Sequence, residues 1–534
     1  MGEATNSPLR VHFDRRLKME FRVATITSDA ALLAFRFDGR RIAYPFGKSG
    51  LIYLNGSFGS VRSRHIVQSL KEQVMTIAQR LAKFASQASH EDLSEKGIRQ
   101  IKLLVLDTIG CAIGSLGAAP MNHLRAHGDN FGGAPLCTLI GGGRTAPDRA
   151  AFYNAALARY LDFNDTYSGA KATCHPSDNM GPVLAAAEYA DASGRELMTA
   201  LALAYEVQCR FCDVAPTEKA GFDQTLAGSY AVAAGASRAL GLDSAATANA
   251  IAISAVSQNP LFVTRTGHIS HWKGFAFANA AFNGVNATFM AMHGITGPLE
   301  IFEGPHGLFE TITGPFEIDW ANESLEKVLE ISVKRYNAAV HSQSAIEGII
   351  ELREACVFAP DQIERVDLET YERAYFAMGG GKAGGKHEVR NKETADHSLP
   401  YVLAVALLDG EVMPAQYELE RILGNDVQNL LRRVHISDSE ELTSRFPAES
   451  PALIRITLKD GTVYEKEKTA WQGFFTHSTS WETVVQKFEA LSEPIVEPSL
   501  QKEIVDAVSR LESVQAVDLA RMLGEVRGPA RGSK

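Results

Sequence analysis

The sequence predicts a mainly α protein: a large all-helical domain assembled from both ends of the chain, and a smaller α+β domain between them. Three observations lead there. Apolar residues recur at i, i+3 and i+4 from about residue 75 to about residue 330. Strand-like segments follow only from about residue 332. Helical patterning resumes near residue 477 and runs to about 527.

Residues 1–74 stand apart as an N-terminal extension whose order the sequence does not fix. They hold short β-like runs, "EFRVATI" and "SGLIYLNGS", broken by charges and glycines. Met75 then opens "MTIAQRLAKFASQAS", an amphipathic helix, and is itself a candidate chain start. Helices are expected in "EDLSEKGIRQIKLLVLDTIGCAIGSL", "APDRAAFYNAALARYLDF", "GPVLAAAEYADAS", "GRELMTALALAYEVQCRF", "GSYAVAAGASRALGL" and "DSAATANAIAISAVS". Their alanine and glycine content allows close helix–helix approach. These segments, 75–332, form the helical domain together with 477–527.

Residues 333–476 read as the α+β domain. "IERVDLETY", "PALIRITLKDG" and "VYEKEK" have strand character, and Asp460-Gly461 is a hairpin signal. "HSQSAIEGIIELREA" and "SLPYVLAVALLDG" are helices between them.

Composition narrows the function. A net charge of −10 and a pI near 5.9 argue against nucleic-acid binding. No apolar run reaches the roughly 18 residues of a membrane span, and no signal core opens the chain. Six cysteines in 534 residues do not make a disulfide scaffold, so the expected compartment is the reducing cytoplasm.

Among the motifs, Cys209-x-x-Cys212 with Cys174 raises a metal cluster, but "YEVQCRFC" continues a helix, and structural cysteines are the reading adopted. "GGGKAGGKH" has the spacing of a phosphate loop except that His387 stands where Ser or Thr must bind magnesium, so it reads as a glycine-rich loop at an active-site lid. "YLDFNDTYSGAKATCHPSDN" places Asp162 and Asp165 at one helix end and His175 just before the next helix. "HWKG" sets Lys273 at the N-terminal end of a helix, where the macrodipole disfavours a cation. "VKRYNAAVHSQ" holds Lys334, Tyr336 and His341 at the domain boundary, and "NKETADHSLPY" adds His397, Ser398 and Tyr401.

Together these segments resemble the MmgE/PrpD family, the 2-methylcitrate dehydratase family, from about Met75 to about residue 495. The resemblance implies a helical domain formed from both chain ends, an α+β lid, a homodimer, an active site between domain and lid, and no metal or other cofactor. It implies activity on a small tricarboxylate: 2-methylcitrate dehydration, cis-aconitate decarboxylation or another polycarboxylate reaction. Asp162 and His175 match the acid and histidine of its "D-F-x-D…H-P-S" motif. Lys273 matches the lysine of "W-K-G" and Lys334 that of "K-x-Y". At Asp223-Gln224 the chain departs from the family, where a histidine is expected in the decarboxylases; this weakens the decarboxylase reading.

Dehydration of such an acid needs a base, an acid for the leaving oxygen, and cations for the carboxylates. The expected assignment makes Asp162, His175 and Lys273 catalytic. Lys273, Lys334, Tyr336 and His341 bind substrate, with Arg265 and His271 as weaker candidates. The leading expectation is a cofactor-independent hydro-lyase. A decarboxylase, an isomerase or epimerase, and a non-catalytic polycarboxylate binder are the alternatives.

Overall fold

The helical body begins at a reciprocal cap. Gln79 N donates to Thr76 Oγ1 at 3.2 Å and Thr76 N donates to Gln79 Oε1 at 2.9 Å, which starts α1 at Ile77–Gln87. The computed structural model describes residues 20–25, 31–37, 40–46, 75–266, 269–380 and 386–527. These fall into two units, Met1–Val74 and Met75–Lys534.

In the first unit, Glu20–Thr25, Ala31–Phe37 and Arg40–Phe46 (β1 to β3) form an antiparallel sheet in that order. β1 is the expected "EFRVATI" strand. "SGLIYLNGS" and the beginning of the chain lie outside the described residues.

The second unit is mainly α. Its body contains α2 (Glu95–Gly114), α3 (Ala119–Phe131), α4 (Pro147–Tyr160), α5 (Met180–Tyr189), α6 (Gly194–Val214), α7 (Thr225–Ala239), α8 (Ser244–Ser257) and α9 (Trp272–Met292). Small residues let these helices approach closely: a Cβ on Gly228 of α7 would collide with the Phe277 ring of α9. Cys209 and Cys212 lie one turn apart on α6, both buried, and burial pushes the Cys209 thiol up to about 12. Among the described residues no single helix is long and apolar enough to cross a membrane, although α2 and α3, bent by 86°, pass that test as a pair.

The C-terminal helices α12 (Trp481–Ser492), α13 (Pro498–Ser509) and α14 (Ala516–Glu525) share the body's apolar core. Lys487 Nζ of α12 lies 2.7 Å from the buried Asp107 carboxylate of α2. Ser193 bridges Gln515 in antiparallel fashion.

A separate apolar core, from Tyr336 to Leu458, belongs to the α+β part. Its sheet contains β4 (Ile363–Thr370), β5 (Val434–Asp438), β6 (Ala452–Leu458) and β7 (Val463–Lys468) in the order β7-β6-β4-β5. β5 runs parallel to β4, and the other pairs are antiparallel. β6 buries alternate residues, Ile454 and Ile456 among them, against α10 (Gln343–Ala355), with α11 (Leu399–Asp409) alongside. Asp460-Gly461 makes the β6–β7 turn, with Gly461 at φ 88°.

The chain crosses between the two parts twice, and the crossings are tied together. Val333 N donates to Gly473 O at 2.7 Å and Trp471 Nε1 donates to Val333 O at 2.9 Å. Ser332 also exchanges backbone hydrogen bonds with Thr166 of the body, at 2.9 Å each way.

Candidate active site

α4 delivers the central acid. After the helix ends, Asp162 sits at φ 60°, a region the β-carbon disfavours and a fold must hold in place. Two residues of the first crossing hold it: Asn337 Nδ2 donates to Leu161 O, and Lys334 Nζ donates to Asp162 O at 2.8 Å.

The Asp162 carboxylate is 1% exposed and surrounded by three cations and a histidine. Lys334 Nζ lies 2.6 Å away, Arg159 Nη1 2.8 Å, Lys273 Nζ 3.0 Å and His397 Nδ1 3.6 Å. Burial alone raises its pKa, but Arg159, Lys334 and Lys273 outweigh that and hold it well below the usual carboxylate range. Asp162 is therefore a fixed anion rather than a proton carrier at neutral pH.

Lys273 also lies 2.8 Å from Asp396 Oδ1 and 2.9 Å from His397 Nδ1. Lys392 Nζ reaches the other Asp396 oxygen at 2.7 Å. Asp162, Asp396 and His397 have the spacing of a cation site, and the ammonium of Lys273 stands against all three. A metal ion would compete with that charge for the same ligands, so the residues present do not fit a resident metal.

His175 is positioned by the loop after Asp162. Tyr167–Ser168 pairs with Thr173–Cys174, which turns the chain back toward Asp165. His175 Nδ1 lies 2.7 Å from the Asp165 carbonyl. A carbonyl only accepts, so Nδ1 carries the proton and Nε2 keeps its lone pair. Burial, with Arg159 and Lys334 nearby, holds the His175 pKa well below its usual value and leaves the ring neutral. Asp165 itself binds Ser177 Oγ at 2.6 Å and Tyr205 Oη at 2.8 Å, and burial pushes its carboxyl up to about 6.

Asp162, His175 and His397 border a cavity of about 150 Å³ between body and lid. That is below the roughly 300 Å³ at which drug-sized sites begin. Arg159, Arg265, His175 and Gln224 reach it from the body. His341, Arg373 and His397 reach it from the lid, and Phe262, Val340 and Phe376 supply apolar wall.

Arg265 is held bidentately by Asp223, at 2.5 and 3.0 Å, and Arg373 pairs with Glu218 across the domains at 2.5 Å. A guanidinium has five N–H donors and one carboxylate engages at most two, so donors remain for a bound anion. His341 Nδ1 lies 2.7 Å from Tyr371 Oη; burial, then Arg373, holds its pKa well below the usual value.

The structure thus gathers Asp162, His175 and His341 around one cavity but moves other expected residues. Lys273 and Lys334, 3% and 0% exposed, do not border the cavity. They lie beneath it, neutralising Asp162, because desolvated carboxylates draw in the nearest cations. Carboxylates of the protein itself, rather than a bound one, compensate Lys273. Tyr336 is placed otherwise too: it packs in the lid core away from the cavity, beneath the Arg335 guanidinium.

Of the weaker candidates, Arg265 reaches the cavity, whereas His271 is more than half exposed and lies outside it. Ser398 caps α11 through Tyr401 N at 3.1 Å, and Tyr401 Oη donates to Gln416 O in the lid interior. Phe376 and Ala377 precede the glycine-rich loop, whose residues 381–385 lie outside the described ones. Asp223 is the partner of Arg265, not an acid–base group facing substrate.

Arg159, Arg373 and Asp396 were not anticipated. The one available signal was the i, i+4 pair Lys392/Asp396 next to His397.

Residues 79–321 match the family model for the MmgE/PrpD N-terminal domain, and residues 336–513 match that for the MmgE/PrpD C-terminal domain. A mouse protein, cis-aconitate decarboxylase, is 26% identical over 464 residues, 82% of this chain and 91% of its own length. The 2-methylcitrate dehydratase of Escherichia coli K12 is 27% identical over 409 residues, 68% of this chain and 78% of its own length. A mitochondrial 2-methylcitrate dehydratase from Yarrowia lipolytica is 24% identical, covering 80% of this chain and 87% of its own length. With both domains matched in order over the body and lid just described, this chain belongs to the MmgE/PrpD family.

Proposed function

We propose that the chain is a carbon–oxygen lyase that dehydrates 2-methylcitrate or a related tricarboxylate by acid–base elimination. One observation supports this most: a neutral histidine with a free Nε2 faces the same small cavity as three arginines. The arginines suit an anion with several carboxylates. The histidine suits proton removal next to one of them.

In this reading the substrate carboxylates rest on Arg265, Arg373 and Arg159. His175 Nε2 takes the proton from the carbon beside a carboxylate. The electron pair left behind forms the double bond as the C–O bond breaks. The imidazolium so formed passes that proton to the departing hydroxide, which leaves as water, while the neutral His341 and His397 line the lid side of the cavity. Asp162 stays ionised throughout and holds Arg159 in place. The buried lysines neutralise it, so the arginine forks remain available to substrate.

A second reading, decarboxylation of cis-aconitate, is favoured by the mouse relative, whose match spans 82% of this chain. It uses the same arginines. The test follows alkene absorbance and CO2 release together, with 2-methylcitrate, citrate and cis-aconitate, with and without EDTA. Alkene without CO2, surviving EDTA and lowered about 100- to 10,000-fold in His175→Ala, is the expected result. CO2 from cis-aconitate would replace dehydration with decarboxylation. Inactivity of the wild type on all three acids would sink both readings.

A further inference from the structure

Gln224 borders the cavity, is 4% exposed, and its Nε2 has no hydrogen-bond partner. An amide side chain can be turned over, so the end that faces the cavity has to follow from its neighbours. Here one backbone carbonyl settles it.

Pro176 O only accepts, so the Asn179 group 2.9 Å from it is the NH2. That NH2 lies 2.7 Å from the Gln208 amide, which must therefore present its oxygen. Gln208 then presents its own NH2, 3.1 Å away, to Gln224, which must present oxygen. Turning any one amide over would set oxygen against oxygen or NH2 against NH2. Asn179 and Gln208 are both 0% exposed, so water does not relax the constraint. The relay leaves the NH2 of Gln224, a residue that borders the cavity, with its hydrogens unused.

Leaving a buried donor unsatisfied is costly, and a ligand acceptor in the cavity would relieve that cost. Thr173 Oγ1 on the same cavity is also buried without a partner. The Arg265 fork borders the same space.

We infer that Gln224 is a specificity-determining residue whose Nε2 donates to a carboxylate oxygen of the substrate, beside Arg265. The inference rests on the reading of this cavity as a polycarboxylate site. Unlike a histidine, an amide donor does not titrate, so this contact holds across the working pH range.

The experiment measures binding of citrate and 2-methylcitrate by calorimetry, with steady-state kinetics, for wild type, Gln224→Met and Gln224→Glu. A lost hydrogen bond to a charged group weakens binding by about 10- to 100-fold. Gln224→Met should lose that much affinity with a proportionate rise in KM.

Gln224→Glu is nearly isosteric and keeps an acceptor for Gln208. At pH 8 its carboxylate repels the ligand; at lower pH the protonated carboxyl donates again, so affinity recovers. A purely structural role would give no such recovery. Folded variants that bind as wild type does, or a Gln224→Glu deficit that is flat with pH, would overturn the inference alone. A wild type that binds neither acid would overturn the polycarboxylate reading and the inference with it.

Discussion

Lys273 Nζ lies 2.8 Å from Asp396 Oδ1, and this contact joins the first turn of α9 in the body to the lid. The same ammonium lies 3.0 Å from Asp162 Oδ2. One buried cation thus holds together two carboxylates that are distant in sequence, directly beneath the cavity. It also explains a lysine at a helix N-terminus: two buried anions outweigh an unfavourable dipole.

Lys273→Met should therefore act first on stability. It leaves Asp162 and Asp396 facing each other without the charge between them. Breaking a buried pair by removing one partner costs about 3–5 kcal/mol. Urea unfolding would check it, and a loss below about 1 kcal/mol would contradict the bridging role.

His397 gives a pH dependence with a definite sign. Its pKa is 6.5 in the unfolded chain and about 4 in the fold, lowered by burial and then by Lys273. Between those values the unfolded chain binds the proton and the fold does not, so stability rises with pH. The contribution is complete above pH 6.5 and falls away toward pH 4, by at most about 3 kcal/mol. Asp178, raised to about 7, and Asp165, raised to about 6, run the opposite way, because the fold holds their protons. The informative quantity is the difference between wild type and His397→Asn. The variant should lose less stability than wild type on acidification, and parallel curves would contradict the assignment.

Arg265→Lys separates charge from fork geometry. Asp223 keeps a cationic partner, but the bidentate arrangement is lost. KM for the tricarboxylate should rise about tenfold while kcat changes little, the loss of one charge-assisted contact. Unchanged KM would remove Arg265 from the binding set.

Tyr336→Phe should leave KM and kcat close to wild type. Its ring fills the lid core and is absent from the cavity wall. Steady-state kinetics would check this, and a tenfold loss in kcat would return Tyr336 to the site.

The helices of the body and of the C-terminal segment, and the strands of the lid, are visible in the sequence because each rests on local periodicity. Asp162 and His175 are visible through their match to the family's motif; the polar loop they flank does not by itself single them out. Arg159 is not: a basic residue in the last turn of α4 is what the helix dipole favours anyway. Asp396 and Arg373 sit in short charged stretches that read as solvated surface. Their meaning comes from partners more than 100 positions away, Lys273 and Glu218. Sequence spacing carries no record of such pairings. The layering of Lys273 and Lys334 below the cavity was hidden for the same reason. Residue type identified cations near an anion, but only the fold decides which anion.

The return of α12–α14 to the body also governs the order in which the protein can be made. Helices α1–α9 leave the ribosome with one flank of their core uncovered, since Phe488, Leu511 and Leu519 belong to that core. The lid must be synthesised before that flank can close. From Met292 to Glu525 is roughly 230 residues, on the order of 10–50 s at about 5–20 residues per second. For that interval the nascent chain presents an apolar surface that, among the described residues, its last helices go on to cover. Trimming those helices would strand the body in that half-made state.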